Sequence, residues 1–374
     1  MITLDTRLAQ EIVTRTMKII PFNVNVMDAR GTIIGSGERA RIGELHAGAQ
    51  LAIAQRRTVE VDTGAMRVMA GARPGVNLLL TVRGEICGVV GLTGDPEAVR
   101  QFGELVRMTA EMILEQDQLN RDLQRDARYR EEFVLQWLAG DAVQDGSLAN
   151  WAGRLGIDLD LPRSALVLIL DAGVEPDTAL SSLQHLKQRL ASAHRDCLSA
   201  SRSARELVIL MPVADPQAGE RRFSALSSWF AQECRHDFRF AMGVALGGVE
   251  AVAHSYQSAL ACLQVGLVRR LGKPALSYYD LRLPVLLSGL GAGWQADQLR
   301  LPLRRLEAAD RRGALRATLN AWFDANGHLS ATALKLHIHR NTLDYRLRQI
   351  AEITGLDLGR TDERLLLYVA LQLE

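Results

Sequence analysis

Between Glu97 and Leu138 the hydrophobic pattern is continuously helical, and this run divides everything else in the chain. Phe102, Leu105, Met112, Leu119 and Leu123 keep helical spacing along it. Leu105, Met112 and Leu119 alone keep a heptad, and the next position is Asp126. That falls short of the sustained heptads a coiled coil needs. Two readings stay open: an amphipathic helix packed on its own domain, or a connecting helix over 99–145 that carries a signal and helps a dimer form. A run of this kind leaves room for separate domains on either side. At about 150 residues per domain, 374 residues allow two or three.

Bulk properties narrow the class. A 48% hydrophobic and 23% charged chain is neither mostly disordered nor fibrous. A formal net charge of +1 excludes a polybasic coat or an acidic tail, but not a local basic face. Cys87, Cys197, Cys234 and Cys262 form no CxxC pair, so a zinc ribbon or a redox dithiol is not expected. They read as small core fillers in a reducing compartment. The start MITLDTRLAQEIVTR lacks a basic segment followed by an apolar one. The longest apolar runs, Val76–Leu80 and Leu365–Leu371, are too short to span a bilayer. A cytoplasmic location with no membrane partner is expected.

Ahead of the long helix, Leu4–Ile20 suits a helix, and Phe22–Asp28 alternates at period two as a half-buried strand. Ala29-Arg30-Gly31 is a turn, Thr32–Gly35 a second strand, and Ile42–Gln55 another helix. Val76–Val82 and Ile86–Leu92 flank the turn Arg83-Gly84-Glu85. This resembles a small antiparallel sensor module of the PAS type, over 1–98. Behind the helix, the stretch 163–281 predicts strands at Ala165–Leu170, Asp196–Ser201, Glu206–Val213, Phe238–Ala245 and Ala275–Tyr279. Helices are predicted at Pro176–Ala191, Pro216–Glu233 and Val249–Val268. The order resembles the nucleotide-cyclase palm, including the GGDEF domain. Its signature hairpin here reads CLSASRSARELVILM, with neither the glycine pair nor the acidic pair. Nothing there would hold Mg²⁺ on a triphosphate, so this module is expected to be non-catalytic. The fold class expected is therefore α+β, with an all-α C-terminal domain over 299–374. In that domain Pro302 suits a first helical turn, and Asn326-Gly327 stops a helix.

The most specific stretch lies near the C-terminus. Ala331–Leu336 predicts a short helix, His337-Ile338-His339 a tight break, and Arg340–Thr354 a longer helix. Ala333, Leu334, Ile338, Leu343, Leu347 and Ile350 can pack the two helices together, while Arg340, Asn341, Asp344, Tyr345 and Arg348 face away. A helix-turn-helix presents its second helix to the major groove in this way. From Lys335 to Arg348, Lys335, Arg340, Arg346 and Arg348 against Asp344 leave +3. From Arg300 to Arg316, six arginines against Glu307 and Asp310 leave +4. Phosphate contact needs such local excess. The plain alternative is a solvated helical hairpin, or helices that bind another protein.

The wording of this stretch goes further. His339-Arg-Asn-Thr342, then Tyr345-Arg-Leu347, then Thr354-Gly355, resemble the C-terminal helix-turn-helix of the purine-catabolism-regulator type. That resemblance implies that His339, Arg340, Asn341, Thr342, Tyr345 and Arg346 bind DNA. Asn341 would pair with adenine and Arg340 with guanine, while Thr342 and Tyr345 would hold phosphates. His337 stands where glycine is common, and histidine tolerates a left-handed backbone better than most residues. Val24–Gly37, Arg41–Gly48 and Gly88–Gly94 resemble the sugar-diacid recognition domain. Taken together, the whole chain is similar to the carbohydrate diacid regulator family. The resemblance implies a transcription factor, typically an activator of diacid uptake and breakdown. It would respond to compounds such as glucarate, galactarate or glycerate. Double-stranded operator DNA, a second copy of the chain and RNA polymerase are the macromolecular partners implied.

A dicarboxylate needs cations and N–H donors. Ser36, Gly37, Arg41, Gly43 and His46 cluster at a predicted helix start, a favourable place for an anion. Arg73 and Asn77 lie on the approach to the next strand. Arg41 and Arg73 are the candidates for the two carboxylates, with Ser36, His46 and Asn77 for hydroxyls or for orientation. The competing reading leaves both arginines solvated and His46 a satisfied helix-face residue. Gly35-Ser-Gly37-Glu-Arg-Ala40 fits GxGxxA, but its strand arrives from a hairpin, so a dinucleotide site is not expected. His337 and His339 lack further ligands for a metal. No catalytic residue, metal or cofactor is expected. The rival function is a nucleotide-binding or cyclase-like signalling protein using the middle module.

Overall fold

A computed structural model describes residues 4–62, 73–140, 146–290 and 293–373. The chain divides into two compact units, Met1–Arg128 and Tyr129–Glu374.

The first unit opens with α1 (Thr6–Thr16), capped by Asp5, whose carboxylate accepts from the Leu8 N–H at 2.8 Å. There follow β1 (Asn23–Met27), β2 (Ile33–Ser36), a 3-10 turn at Arg39–Arg41, and α2 (Ala47–Gln55). Next come β3 (Val59–Val61), β4 (Gly75–Val82), β5 (Glu85–Thr93) and α3 (Pro96–Ala139). The strands form one antiparallel sheet in the order β2-β1-β5-β4-β3. One face carries Val24, Val26, Val76, Leu78, Val90 and Leu92. It packs on Leu8, Ile12 and Val13 of α1 and on Val99, Val106 and Ala110 of α3. Ile12 is wholly buried, and truncating such a side chain costs about 2–5 kcal/mol. Gly35 permits the close fit, because a Cβ there would stand 2.7 Å from the Ala9 backbone.

The opposite face is covered by α2, through Met27, Ile33, Ala49 and Val89 and through Ala52, Val59 and Val61. This helix starts later than the predicted Ile42–Gln55. Gly43, at φ 96, turns the chain, and its N–H donates to Ile33 O at 2.8 Å. The Ile33 N–H donates in turn to Glu44 O at 2.9 Å. Residues 42–45 are therefore tied to β2 rather than to a helix.

α3 spans 44 residues. Its predicted course over 99–145 reaches 141–145, which lie outside the described residues. Leu105, Met112 and Leu119, the heptad positions, are all exposed, as are Met108 and Leu123.

In the second unit, Phe133, Val134 and Trp137 join α4 (Ser147–Leu155) and α7 (Ala251–Val268) in one core. That core covers one face of a sheet of β6 (Arg163–Leu170), β7 (Leu198–Ser201), β8 (Glu206–Pro212), β9 (Phe238–Met242) and β10 (Ala275–Ser277). The order is β10-β9-β6-β8-β7, with only the β10–β9 pair parallel. α5 (Pro176–Ala193) and α6 (Pro216–Glu233) cover the other face. The turn between β7 and β8, where the predicted palm would hold its metal, is Arg202-Ser203-Ala204-Arg205.

The remaining helices are α8 (Arg282–Ser288), α9 (Trp294–Ala309), α10 (Ala314–Asp324), α11 (Leu329–Lys335), α12 (Arg340–Thr354) and α13 (Thr361–Gln372). Leu303, Leu306, Leu319, Trp322, Ile350 and Leu367 form the core of α9, α10, α12 and α13, while Val285 of α8 belongs to the core that covers the sheet. Pro302 is not in a first turn as expected but inside α9. Its missing N–H removes one helical bond there. The helix persists because Leu303 and Leu306, wholly buried beside it, anchor that segment to the core.

Candidate functional site

The α2 side of the first sheet is not uniformly apolar. Residues directly opposed across antiparallel strands share a face. Ser36 on β2 opposes Asn25 on β1, Asn25 opposes Gly91 on β5, and Gly91 opposes Asn77 on β4. A polar row therefore crosses the sheet, next to the apolar row of Met27, Val89 and Leu79. Ser36 is 1% exposed, Asn25 1% and Asn77 3%. Burial of this kind costs free energy unless the polar atoms find partners.

Part of the row satisfies itself. Ser36 Oγ donates to Asn25 Oδ1 at 2.6 Å, and Asn23 Nδ2 donates to the same oxygen at 3.4 Å. The Glu38 N–H donates to Ser36 Oγ at 3.0 Å. Gln10 of α1 brackets the Ser36 backbone, with both contacts at 3.3 Å. Asn77 Nδ2 makes only a long contact, 3.5 Å, to Val59 O. Three occluded atoms find no partner: Asn23 Oδ1, Asn77 Oδ1 and Arg41 Nη1.

His46 borders this row at Asn77, and Arg41 lies near His46. Arg41, 8% exposed, sits on the 3-10 turn after β2, and its Nε contacts Glu44 Oε2 at 3.4 Å. His46 caps α2, its Nδ1 accepting from the Ala49 N–H at 3.2 Å. With Nδ1 an acceptor, a neutral ring carries its proton on Nε2. Burial, and then the nearby Arg41 charge, push the His46 pKa below its ordinary value. A Cβ at Gly48 would lie 2.6 Å from Asn77 Nδ2 and 3.2 Å from His46 Cε1. His46 and Asn77 thus share the small space that this glycine leaves.

The predicted ligand residues do not all converge. His46 lies beside Asn77 across Gly48 and near the Arg41 charge, while Ser36 stands on the same sheet face but three strands away from Asn77. Asn77 stands within β4 rather than on the approach to it. Gly37 is exposed but abuts Asn23, whose Oδ1 would lie 2.4 Å from a Cβ there. Gly43 is an exposed turn residue with nothing within 4 Å of its Cβ position. Arg73 is 48% exposed along its side chain, and its Nη1 donates to Glu38 Oε1 at 2.7 Å. Beside it, Asp62, Pro74, Thr93, Gly94, Asp95 and Pro96 complete the lining of a cavity of about 440 Å³. Two carboxylates beside one paired guanidinium make a weak anion site. Sequence reasoning passed over Asn23 and Asn25, because alternation assigned them to the solvent side of β1. A residue disfavoured in strands, twice on one face, was the available signal.

In the second unit, α11 and α12 form the predicted helix-turn-helix. His337 closes the turn with a left-handed φ of 55. His339 caps α12, its Nδ1 accepting from the Asn341 N–H at 3.2 Å. Gly355, at φ 73, ends the helix. Leu343 and Ile350 are wholly buried. At 3.6 residues per turn, Asn341, Tyr345 and Arg348 lie within about 60° of arc, opposite that buried edge. All three are exposed, as are His339, Arg340 and Thr342. Arg346 is half-buried, and its Nη1 donates to Thr318 Oγ1 of α10 at 3.2 Å. It braces α12, whereas Arg348 offers an exposed cation.

A capped second helix, braced from behind and bearing arginine, asparagine and tyrosine outward, defines a DNA-binding regulator. The sequence matches the sugar diacid recognition family over residues 4–137, a GGDEF-like domain over 139–265, and the PucR C-terminal helix-turn-helix domain over 315–373. It is 47% identical to the carbohydrate diacid regulator of Escherichia coli, over 99% of this chain and 98% of that protein. It is 37% identical to an uncharacterized protein of Haemophilus influenzae, over 99% of both. It is 26% identical to the DNA-binding transcriptional activator AdeR of Bacillus subtilis, over 65% of this chain and 59% of that protein. The chain belongs to the carbohydrate diacid regulator family.

Proposed function

We propose that this chain activates genes for sugar-diacid uptake and breakdown, and that a small dicarboxylate or hydroxy acid bound in the first unit controls it. The observation that carries the effector reading is the buried polar row, with orphaned atoms on Asn23, Asn77 and Arg41. Unpaired polar atoms under a sheet-covering helix are costly to a fold and useful to a ligand site. The strand order β2-β1-β5-β4-β3 supports the PAS-type reading of this module. The hairpin turn Arg202–Arg205, without a carboxylate, supports a non-catalytic middle module.

DNA is read by α12, with Arg340 and Asn341 on base edges and Tyr345 and Arg348 beside them. Two half-sites require two such helices, so the working form is a dimer. The exposed stripe of Leu105, Met108, Met112, Leu119 and Leu123 on α3 supports self-association. The effector biases the dimer between two states by binding one better than the other. A labelled-promoter binding assay tests the proposal, run at several salt concentrations with and without glucarate, galactarate and glycerate. Salt-sensitive, sequence-selective binding that responds to at least one acid is expected. Its absence would sink the proposal.

A further inference from the structure

We propose that the DNA-binding domain carries a site of its own, separate from the buried polar row, for a small organic acid whose body is apolar. A cavity of about 420 Å³ opens between the end of α10 and the first half of α13. That is the size of a small-molecule pocket. Three rings line it in succession. The centroids of Trp322 and Phe323 lie 5.1 Å apart, and those of Phe323 and Tyr368 5.0 Å. Asn326 and Gly327, at φ 52 and 78, turn the chain out of α10 beside these rings. The atoms nearest to a Cβ at Gly327 would be those of the Trp322 ring, from 3.7 Å. The glycine itself puts no side chain there.

The charged group at this cavity is a cation. Arg364, one turn into α13, lines it and makes no ion pair or side-chain hydrogen bond among the described residues. The acids beside it in sequence are held elsewhere. Asp362 and Glu363 pair with Arg360 at 2.9 and 3.3 Å, and Glu363 also accepts from the Asp357 N–H. Thr361 starts α13 at the cavity, and Arg360, the capping residue, gives the helix no side-chain acceptor. An uncapped helix start favours an anion. A separate observation points the same way. Trp322 is 6% exposed, and its Nε1 finds no acceptor. A buried indole N–H ordinarily has one. Nε1 would lie 3.9 Å from a Cβ at Gly327, so that edge of the ring faces the loop bordering the cavity. A free guanidinium, an open helix start and an unmatched indole N–H call for acceptor oxygens, and no carboxylate among the described residues lines the cavity. The rings call for an apolar body. A carboxylate on Arg364, with its body against Phe323 and Tyr368, meets both demands. A sugar diacid would bring hydroxyls where this cavity offers rings. Because α10 also braces α12, through Thr318 and Arg346, an occupant touches the helix that supports the recognition helix.

The test is calorimetric titration of the full chain with 3-phenylpropionate and with 3-phenylpropan-1-ol, which share an apolar body and differ in charge. The acid is expected to bind with a Kd of about 1 mM or below. The alcohol is expected to bind at least about tenfold more weakly. Arg364→Gln should weaken the acid about tenfold, leave the alcohol unchanged and so remove the difference. Leu365, which also lines the cavity, is 57% exposed and lies outside the core, so Leu365→Glu should fold, set a carboxylate at the cavity and abolish binding of the acid. Arg41→Ala, in the first unit, should leave the acid unaffected. No binding of the acid to the unaltered chain would overturn the proposal, as would equal binding of acid and alcohol. Binding that survives in both Arg364→Gln and Leu365→Glu would overturn it too, and a loss confined to Arg41→Ala would place the acid in the first unit instead. The two titrations of the unaltered chain decide the matter even if a variant fails to fold.

Discussion

Gly91→Ala separates the ligand role of the polar row from its structural role, because the two effects have different signs. Gly91 has no left-handed backbone to protect. Alanine in a strand interior gains about 0.5–1 kcal/mol over glycine through backbone entropy. Against this, the new Cβ would stand 3.1 Å from Asn77 Oδ1 and 3.3 Å from Met27 Cε. The methionine end is flexible and gives way by a few tenths of an ångström. Stability without ligand should therefore change by less than about 1 kcal/mol. Binding suffers more. The methyl group presses on Asn77 and turns its oxygen aside. Losing that bond, and crowding the ligand, should cost about 2 kcal/mol, or about 30-fold in Kd. In thermal melts at an acid concentration about 100 times the wild-type Kd, ligand-induced stabilisation should fall from about 2.7 to about 0.9 kcal/mol. Full stabilisation of the variant by galactarate would refute the proposal that the ligand is held by Asn77 in the polar row. A ligand-free loss above about 3 kcal/mol would show that the glycine serves packing alone.

His46 predicts an acid sensitivity. Burial and Arg41 keep its folded pKa down, so below about 6.5 the unfolded chain takes up a proton that the folded chain refuses, and stability falls with pH. His46→Asn keeps an oxygen to cap α2 and should flatten that slope in melts between pH 5 and 7, which an unchanged slope would contradict. Arg346→Ala should lower stability by about 1 kcal/mol by freeing α12 from Thr318, and weaken all DNA sequences alike. Arg340→Ala and Asn341→Ala should instead relax base discrimination by about 1–3 kcal/mol each with stability unchanged; binding assays on operator and scrambled duplexes distinguish the two patterns. Met112→Asp with Leu119→Asp should shift the chain toward monomer in light scattering, and an unaltered mass would remove α3 from the dimer contact.

Where local chemistry decides structure, the sequence sufficed. The predicted helices Pro216–Glu233 and Arg340–Thr354 match α6 and α12 to the residue. Asp215 and Pro216 start the first, and His339 and Gly355 bound the second, so caps fix both without tertiary help. The left-handed His337 was legible for the same reason. Misses fall where tertiary contacts override local signals. Val59-Glu60-Val61 is too short to announce a strand, and exists because Asn77, Val76 and Gly75 pair with it. Ile42–Leu45 has helical periodicity, yet its backbone is spent on β2. Pro302 reads as a start, but the segment ahead of it is recruited into α9.

The site was half legible, for a reason that lies in register. Arg41 and His46 stood out as charged or titratable groups beside a helix start, and the fold brings them together. Arg73 stood out equally and is spent on Glu38. Asn23 and Asn25 did not stand out, because alternation says only that a side chain leaves the side opposite Val24 and Val26. Whether that side meets water depends on what covers it. Here α2 covers it, and one residue of slip in β1 would exchange the amides for valines and place the amides against α1. The site is therefore a property of pairing. Asn25 opposes Gly91, Gly91 opposes Asn77, and only the assembled sheet turns neutral amides, separate in sequence, into one hydrogen-bonding row. In the proposed site the charged residues would supply affinity for an acid, and the neutral row would sort one acid from another.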